Sequence, residues 1–120
     1  MKELTILECL NRLSPAGKGN ASLRVKQSLF ALMVSLLIQR AYELGYEITF
    51  GYAFRGESGP AGGLHHVRLA IDLNLFKDGV YLTATEDHRE LGLYWESLGG
   101  SWGGRFEDGN HYSLAWGGRK

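Results

Sequence analysis

From Ser22 to about Leu44 the apolar residues return every three or four positions, with Phe30, Val34, Leu37 and Ala41 in step. That repeat lines one face of an α-helix. Ser22 stands where an N-cap belongs, and Gly45 stands where the helix has to stop. The period then changes. In "YEITFGYAF" Tyr46, Ile48, Phe50, Tyr52 and Phe54 alternate with their neighbours, the spacing of a strand with one apolar face. "RGESGPAGG" is a loop by composition, and strand-like "LAIDLNLF" follows it. "KDG" then turns the chain into "VYLT", which predicts a hairpin. Thr85 is placed to cap a second helix, with Leu91, Tyr94, Trp95 and Leu98 at helical spacing and Gly99 and Gly100 as its stop. Beyond a glycine-rich stretch, Tyr112, Leu114 and Trp116 alternate as a closing strand. Helices mixed with antiparallel strands predict an α+β fold.

The breakers gathered in "SPAGKGNAS" divide the chain. Residues 1–21 read as an N-terminal extension, a short helix on a loop, and residues 22–120 as a single domain. A domain of this size buries roughly two thirds of the surface its unfolded chain exposes. Thirteen Lys plus Arg balance thirteen Asp plus Glu, so nothing suggests a surface that tracks phosphates, and nucleic acid is not an expected partner. Cys9 is the single cysteine, which excludes an internal disulfide. The most apolar run, "LFALMVSLLI", has about half the length a bilayer requires, so it is expected to be a core helix rather than a membrane insertion. Glu3 and Glu8 interrupt the only candidate for an export signal, and a cytoplasmic location is the expectation. The sequence is silent on oligomeric state; a monomer is the default.

The residues able to bind a transition metal are His65, His66, His88, His111 and the carboxylates. Catalytic zinc takes three protein ligands and leaves a fourth position for water, whose pKa it brings to about 7. Asp72 is the most informative of the candidates. A carboxylate between Leu69, Ile71, Leu73 and Leu75 costs several kcal/mol if buried without a partner. Alternation also offers the commoner outcome, a solvated face shared with Ala70 and Asn74. Strand parity puts His66 rather than His65 on the face of Asp72, although the loop before Leu69 need not keep that parity. Asp108-Gly109 reads first as a turn; the functional alternative aims Asp108 and His111 into one pocket, with Glu107 as the competing base. His88, beside Glu86 and Asp87 in the first turn of the second helix, is expected to be exposed. The three tryptophans are expected in the core or the wall of a cleft.

"HHVRLAID" together with "DGNH" resembles the zinc peptidases of bacterial cell-wall peptides, the group of D-Ala-D-Ala carboxypeptidases and phage L-Ala-D-Glu endopeptidases. Their pattern is Ser-x-His-x-x-Gly-x-Ala-x-Asp, followed by an acidic residue three places before a last His. "LAIDLNLF", "LGLYWESLGG", "WGGRF" and "DGNHYS" are similar to the phage endopeptidase branch, and the likeness covers about Ser22 to Trp116. The resemblance implies a compact antiparallel sheet with flanking helices, the fold shared with hedgehog signalling domains. It also implies Zn2+ held by His65, Asp72 and His111, with Asp108 as the proton acceptor. By the same analogy Arg55 polarises the substrate carbonyl, where the residues alone suggest a surface charge.

The implied substrate is the peptide stem of peptidoglycan, cut at the L-Ala-D-Glu bond, in a protein of bacterial, prophage or phage origin that stays in the cytoplasm until the membrane is opened. A D-Ala-D-Ala carboxypeptidase is the nearest alternative, a non-catalytic zinc or cell-wall binding module is the next, and a metal-free structural domain is the last. The chain departs from the pattern at Gly63, which replaces the Ser, at Arg68, which replaces the Gly, and in the nine residues between Arg55 and His65, a shorter loop than the family leads one to expect.

Overall fold

A computed structural model describes residues 22–54, 63–118 and 120. The proposed extension of residues 1–21 and the catalytic candidate Arg55 lie outside the described residues. The chain runs through α1 (Leu23–Glu43), β1 (Glu47–Phe50), a 3-10 turn (Leu64–Val67), β2 (Ala70–Lys77), β3 (Val80–Leu82), a second 3-10 turn (Thr85–His88), α2 (Arg89–Ser97), β4 (Ser101–Trp102), a third 3-10 turn (Gly103–Phe106) and β5 (His111–Ser113). The result is a small α+β architecture in which the described strands form one five-stranded antiparallel sheet.

Helix α1 begins where the sequence places it, with the Ser22 hydroxyl accepting the Val25 N–H at 3.2 Å. It ends at Leu44, after which Gly45 takes the left-handed φ of 91°. Its buried stripe is Phe30, Met33, Leu37 and Ala41; Met33 takes the place expected of Val34, which is only half-buried. The hairpin turn is also as expected. Asp78 and Gly79 both adopt positive φ, 52° and 77°, the pair of values that lets two residues close a right-twisted hairpin.

Strand β2 is the centre of the sheet. On one side it pairs with β1, on the other with β5 over Ala70–Asp72 and with β3 over Leu75–Lys77. Leu69, Ile71, Leu73 and Leu75 face the core with α1, Leu91, Trp95, Trp102 and Tyr112. Each such side chain contributes on the order of 2 kcal/mol by leaving water. The two buried indoles also satisfy their N–H groups: Trp95 Nε1 donates to the Ser113 carbonyl at 2.9 Å and Trp102 Nε1 to the Gly109 carbonyl at 2.8 Å. Gly92 in α2 leaves the space that the Trp102 ring fills, since a Cβ there would overlap the indole.

Three local expectations change. β1, an outer strand of the sheet, stops at Phe50, and Phe50, Tyr52 and Phe54 are exposed rather than on a buried face. The second helix opens as a 3-10 turn capped at Ala84, whose N–H is taken by the Asp87 carboxylate at 3.0 Å; the Thr85 hydroxyl instead accepts the Gly109 N–H at 3.3 Å. His88 is not exposed but 2% accessible, because the 3-10 start rotates it inward, where its Nδ1 meets the Tyr112 hydroxyl at 2.8 Å.

Candidate metal centre

The site lies on the face of β2 opposite the core leucines. Asp72 is the third residue of β2 and stands directly across from His111, the first residue of β5. Opposed residues of an antiparallel pair project to the same side at about 5 Å between their Cβ atoms, so the pairing alone brings this carboxylate and this imidazole together. His65 arrives from outside the sheet, on the 3-10 turn that precedes β2. Arg68 closes that turn with a left-handed φ of 58°, a conformation that a glycine adopts freely and an arginine adopts at some cost.

His65 Nε2 lies 3.3 Å and His111 Nδ1 3.4 Å from the same oxygen, Asp72 Oδ1, and the ligand atoms of all three residues fall within 4.8 Å of one another. The rings of the two histidines are 5.2 Å apart at 73°. Donors held 2.0–2.2 Å from a tetrahedral zinc stand about 3.4 Å apart, which is the edge length observed here twice. Two imidazoles and one carboxylate, with side chains only 11%, 12% and 19% accessible, therefore fit a divalent metal of the zinc type in both chemistry and spacing. His65 Nδ1 faces the Ala53 carbonyl at 3.4 Å; a proton donated there leaves the Nε2 lone pair for a metal.

Of the two competing bases, the structure brings Asp108 to the site. Its Oδ2 is 4.0 Å from His111 Nδ1, and it lines the same cleft of about 240 Å³ as His65, Asp72 and His111, a cleft that Glu107 does not border. Asp108 is half exposed. Asp72 keeps the strand parity expected of it, but its face is not solvated there, because the two histidines cover it. His66 also borders the cleft, and its Nε2 is buried without a hydrogen-bond partner, the only such side-chain atom among the described residues. Phe106 forms part of the wall, its ring 6.1 Å from that of His111.

The segment that carries Asp108 and His111 is held by side chains that composition did not single out. Thr85 and Trp102 bond the two polar groups of Gly109, Trp95 bonds the Ser113 carbonyl, and His88 bonds Tyr112. Gly103 sits directly against the Asp108 carbonyl, where any side chain would displace the loop. Burial lowers the pKa of His88, an effect only partly opposed by Asp87, and burial raises the pKa of Tyr112. Both groups therefore stay neutral near pH 7 and share a hydrogen bond inside the core.

Residues 58–114 match the family model of D-alanyl-D-alanine carboxypeptidase. The match covers a little under half of the chain and contains His65, Asp72, Asp108 and His111. It supports a peptidase, hence a hydrolase with a peptide substrate, and the His-Asp-His cluster supports a metal in it. No curated protein matches the chain. No helix among the described residues is long and apolar enough to cross a membrane.

Proposed function

We propose that this chain is a zinc-dependent peptidase that hydrolyses the peptide stems of peptidoglycan at the L-Ala-D-Glu bond, in the manner of phage lysis enzymes. The observation that carries the reading is the shared Asp72 oxygen, 3.3 and 3.4 Å from the two imidazoles, in a cleft that the Asp108 carboxylate also borders. His65 Nε2, Asp72 Oδ1 and His111 Nδ1 would hold the ion. Zinc there supplies Lewis acidity, polarising a carbonyl and making water a better nucleophile. Asp108 accepts the proton of the attacking water and returns it to the departing amine, a task that a half-exposed carboxylate bordering the same cleft can perform in both directions. Asp72 lies between the two imidazoles, and its position across from His111 keeps the donors in place as the peptide enters.

The choice of the L-Ala-D-Glu bond rests on the likeness of "LGLYWESLGG", "WGGRF" and "DGNHYS" to phage endopeptidases. The description of the matching family favours a second reading, removal of a terminal D-alanine. Mass analysis of digested, purified peptidoglycan separates the two, because one frees the whole stem and the other releases single alanines. Stoichiometric zinc with no cleavage product of either kind would leave a cell-wall binding module instead. Removing the metal with a chelator should abolish turnover, and added zinc should restore it.

A further inference from the structure

On its β5 side, β2 changes partners. β5 leaves it after Asp72 and β3 joins it at Leu75, with the Asn110 carbonyl accepting the Leu73 N–H at 2.9 Å between them. Where the two partners separate there is a notch, a cavity of about 170 Å³ bordered by Asn74, Tyr81, Thr83, Asn110, Glu107 and Asp108. Asp108, the proposed proton acceptor, borders the metal cleft as well, so one side chain lines both cavities. Asn74 follows Asp72 by two residues and shares its face, about 7 Å along the strand. An extended peptide repeats at that same distance, so a substrate cut at the metal site and lying along β2 brings its second residue from the cut to Asn74.

The Asn74 amide is already oriented. Its Nδ2 donates to Thr49 Oγ1 at 3.2 Å, and its Oδ1 accepts from the Tyr81 hydroxyl at 3.4 Å, with the Tyr81 ring stacked on Phe76 at 4.9 Å. A primary amide has two donor protons and an oxygen with two lone pairs, so one donor and one acceptor remain for a ligand. Another amide presents the complementary pair. Glu107 and Asp108 bring negative charge, no lysine or arginine among the described residues borders the notch, and burial keeps the bordering His88 neutral. We infer that this notch is a substrate subsite that accepts a carboxamide on the second residue from the scissile bond and rejects a carboxylate there. The inference rests on the peptidase reading and adds to it a preference for stem peptides amidated on the second residue from the cut, which for an L-Ala-D-Glu cut is the residue that follows D-Glu.

The test uses the zinc-loaded full chain and paired synthetic peptides that carry glutamine or glutamate at the second residue from the cut, on either side of it. kcat/KM should favour glutamine on one side by about tenfold, the worth of a hydrogen bond exchanged for a repulsion. Asn74→Ala, and more mildly Tyr81→Phe, should remove most of that preference while leaving bound zinc unchanged; Glu107→Gln should narrow it by improving the glutamate peptide. Equal cleavage of both peptides, or a preference that survives Asn74→Ala in a folded protein, would overturn the subsite. If neither peptide is cut, the peptidase reading fails separately, and equilibrium binding of the same pair decides the subsite: tighter, Asn74-dependent binding of the glutamine peptide supports it and equal affinities end it.

Discussion

Strand β5 carries two adjacent residues that face opposite ways, and each meets a histidine in a different setting. On one side His111 joins His65 around the Asp72 carboxylate, in a cleft that reaches solvent. On the other, Tyr112 takes the hydrogen bond of His88 within the core, among Trp95 and its neighbours. The sequence around the four histidines, Leu64-His65-His66-Val67, Asp87-His88-Arg89 and Asn110-His111-Tyr112, does not say which of them share a site. What separates their roles is the partner and the access. An imidazole pair with a carboxylate at 3.3 and 3.4 Å and an open side is a group that could hold a metal ion; an imidazole with a phenol, both in the core, is a neutral brace. The brace matters to the site all the same, because it holds the segment on which Asp108 and His111 ride.

This contrast can be broken from either side. Asp72→Ala removes one of three donors and should reduce bound zinc to near zero and abolish turnover, read by metal analysis and peptide cleavage, while leaving the thermal midpoint of the metal-free protein close to that of the parent. Asp108→Asn should lower kcat by roughly 10²–10⁴ with zinc still bound; an enzyme still fully active would remove Asp108 from its role. On the other face, Tyr112→Phe leaves the buried His88 nitrogen without a partner and should cost about 1–3 kcal/mol of folding stability, measured by denaturant unfolding. Its effect on zinc affinity should be smaller than that of Asp72→Ala, since no donor is lost.

The smallest effect is one of pH. His88 binds protons less readily in the folded protein than in the unfolded chain, whose value is 6.5. Below that pH the unfolded state takes up a proton that the native state resists, so stability falls as pH drops below about 6.5 and is fully present above it. A chemical-denaturation series between pH 7.5 and 5 should show that decline for the parent and a shallower one for His88→Phe; equal slopes would show that the brace is not the group being titrated.

Much of the sheet and both helices could be read from period and punctuation. The cap at Ser22, the Asp78-Gly79 turn and the burial of Leu69, Ile71, Leu73 and Leu75 depend on contacts within a few residues or on a simple alternation, and they hold. His88 and Thr85 did not follow that rule. Both lie in a stretch that looked like an ordinary helix start, and both are turned toward residues more than twenty positions away, Tyr112 and Gly109, for which no local pattern gives a signal.

The candidate site shows the same division. Motif resemblance named His65, Asp72, Asp108 and His111, but residue types alone left Asp72 on a wet face, left His66 level with His65, and left Glu107 level with Asp108. Register decided the first: pairing Asp72 with His111 puts both on the side that the His65 turn covers. The 3-10 turn at Leu64–Val67 decided the second, since it departs from strand parity and swings His65 toward Asp72. The left-handed Glu107, φ 59°, decided the third by turning the chain so that Asp108, not Glu107, borders the metal cleft. By itself the sequence determined which residues alternate, where turns fall and which side chains are chemically able to bind a metal, because these follow from local sterics and side-chain chemistry. Only the tertiary structure decided which of those able groups meet, because a site built from residues 65, 72 and 111 exists through strand pairing and turn geometry that act across the chain.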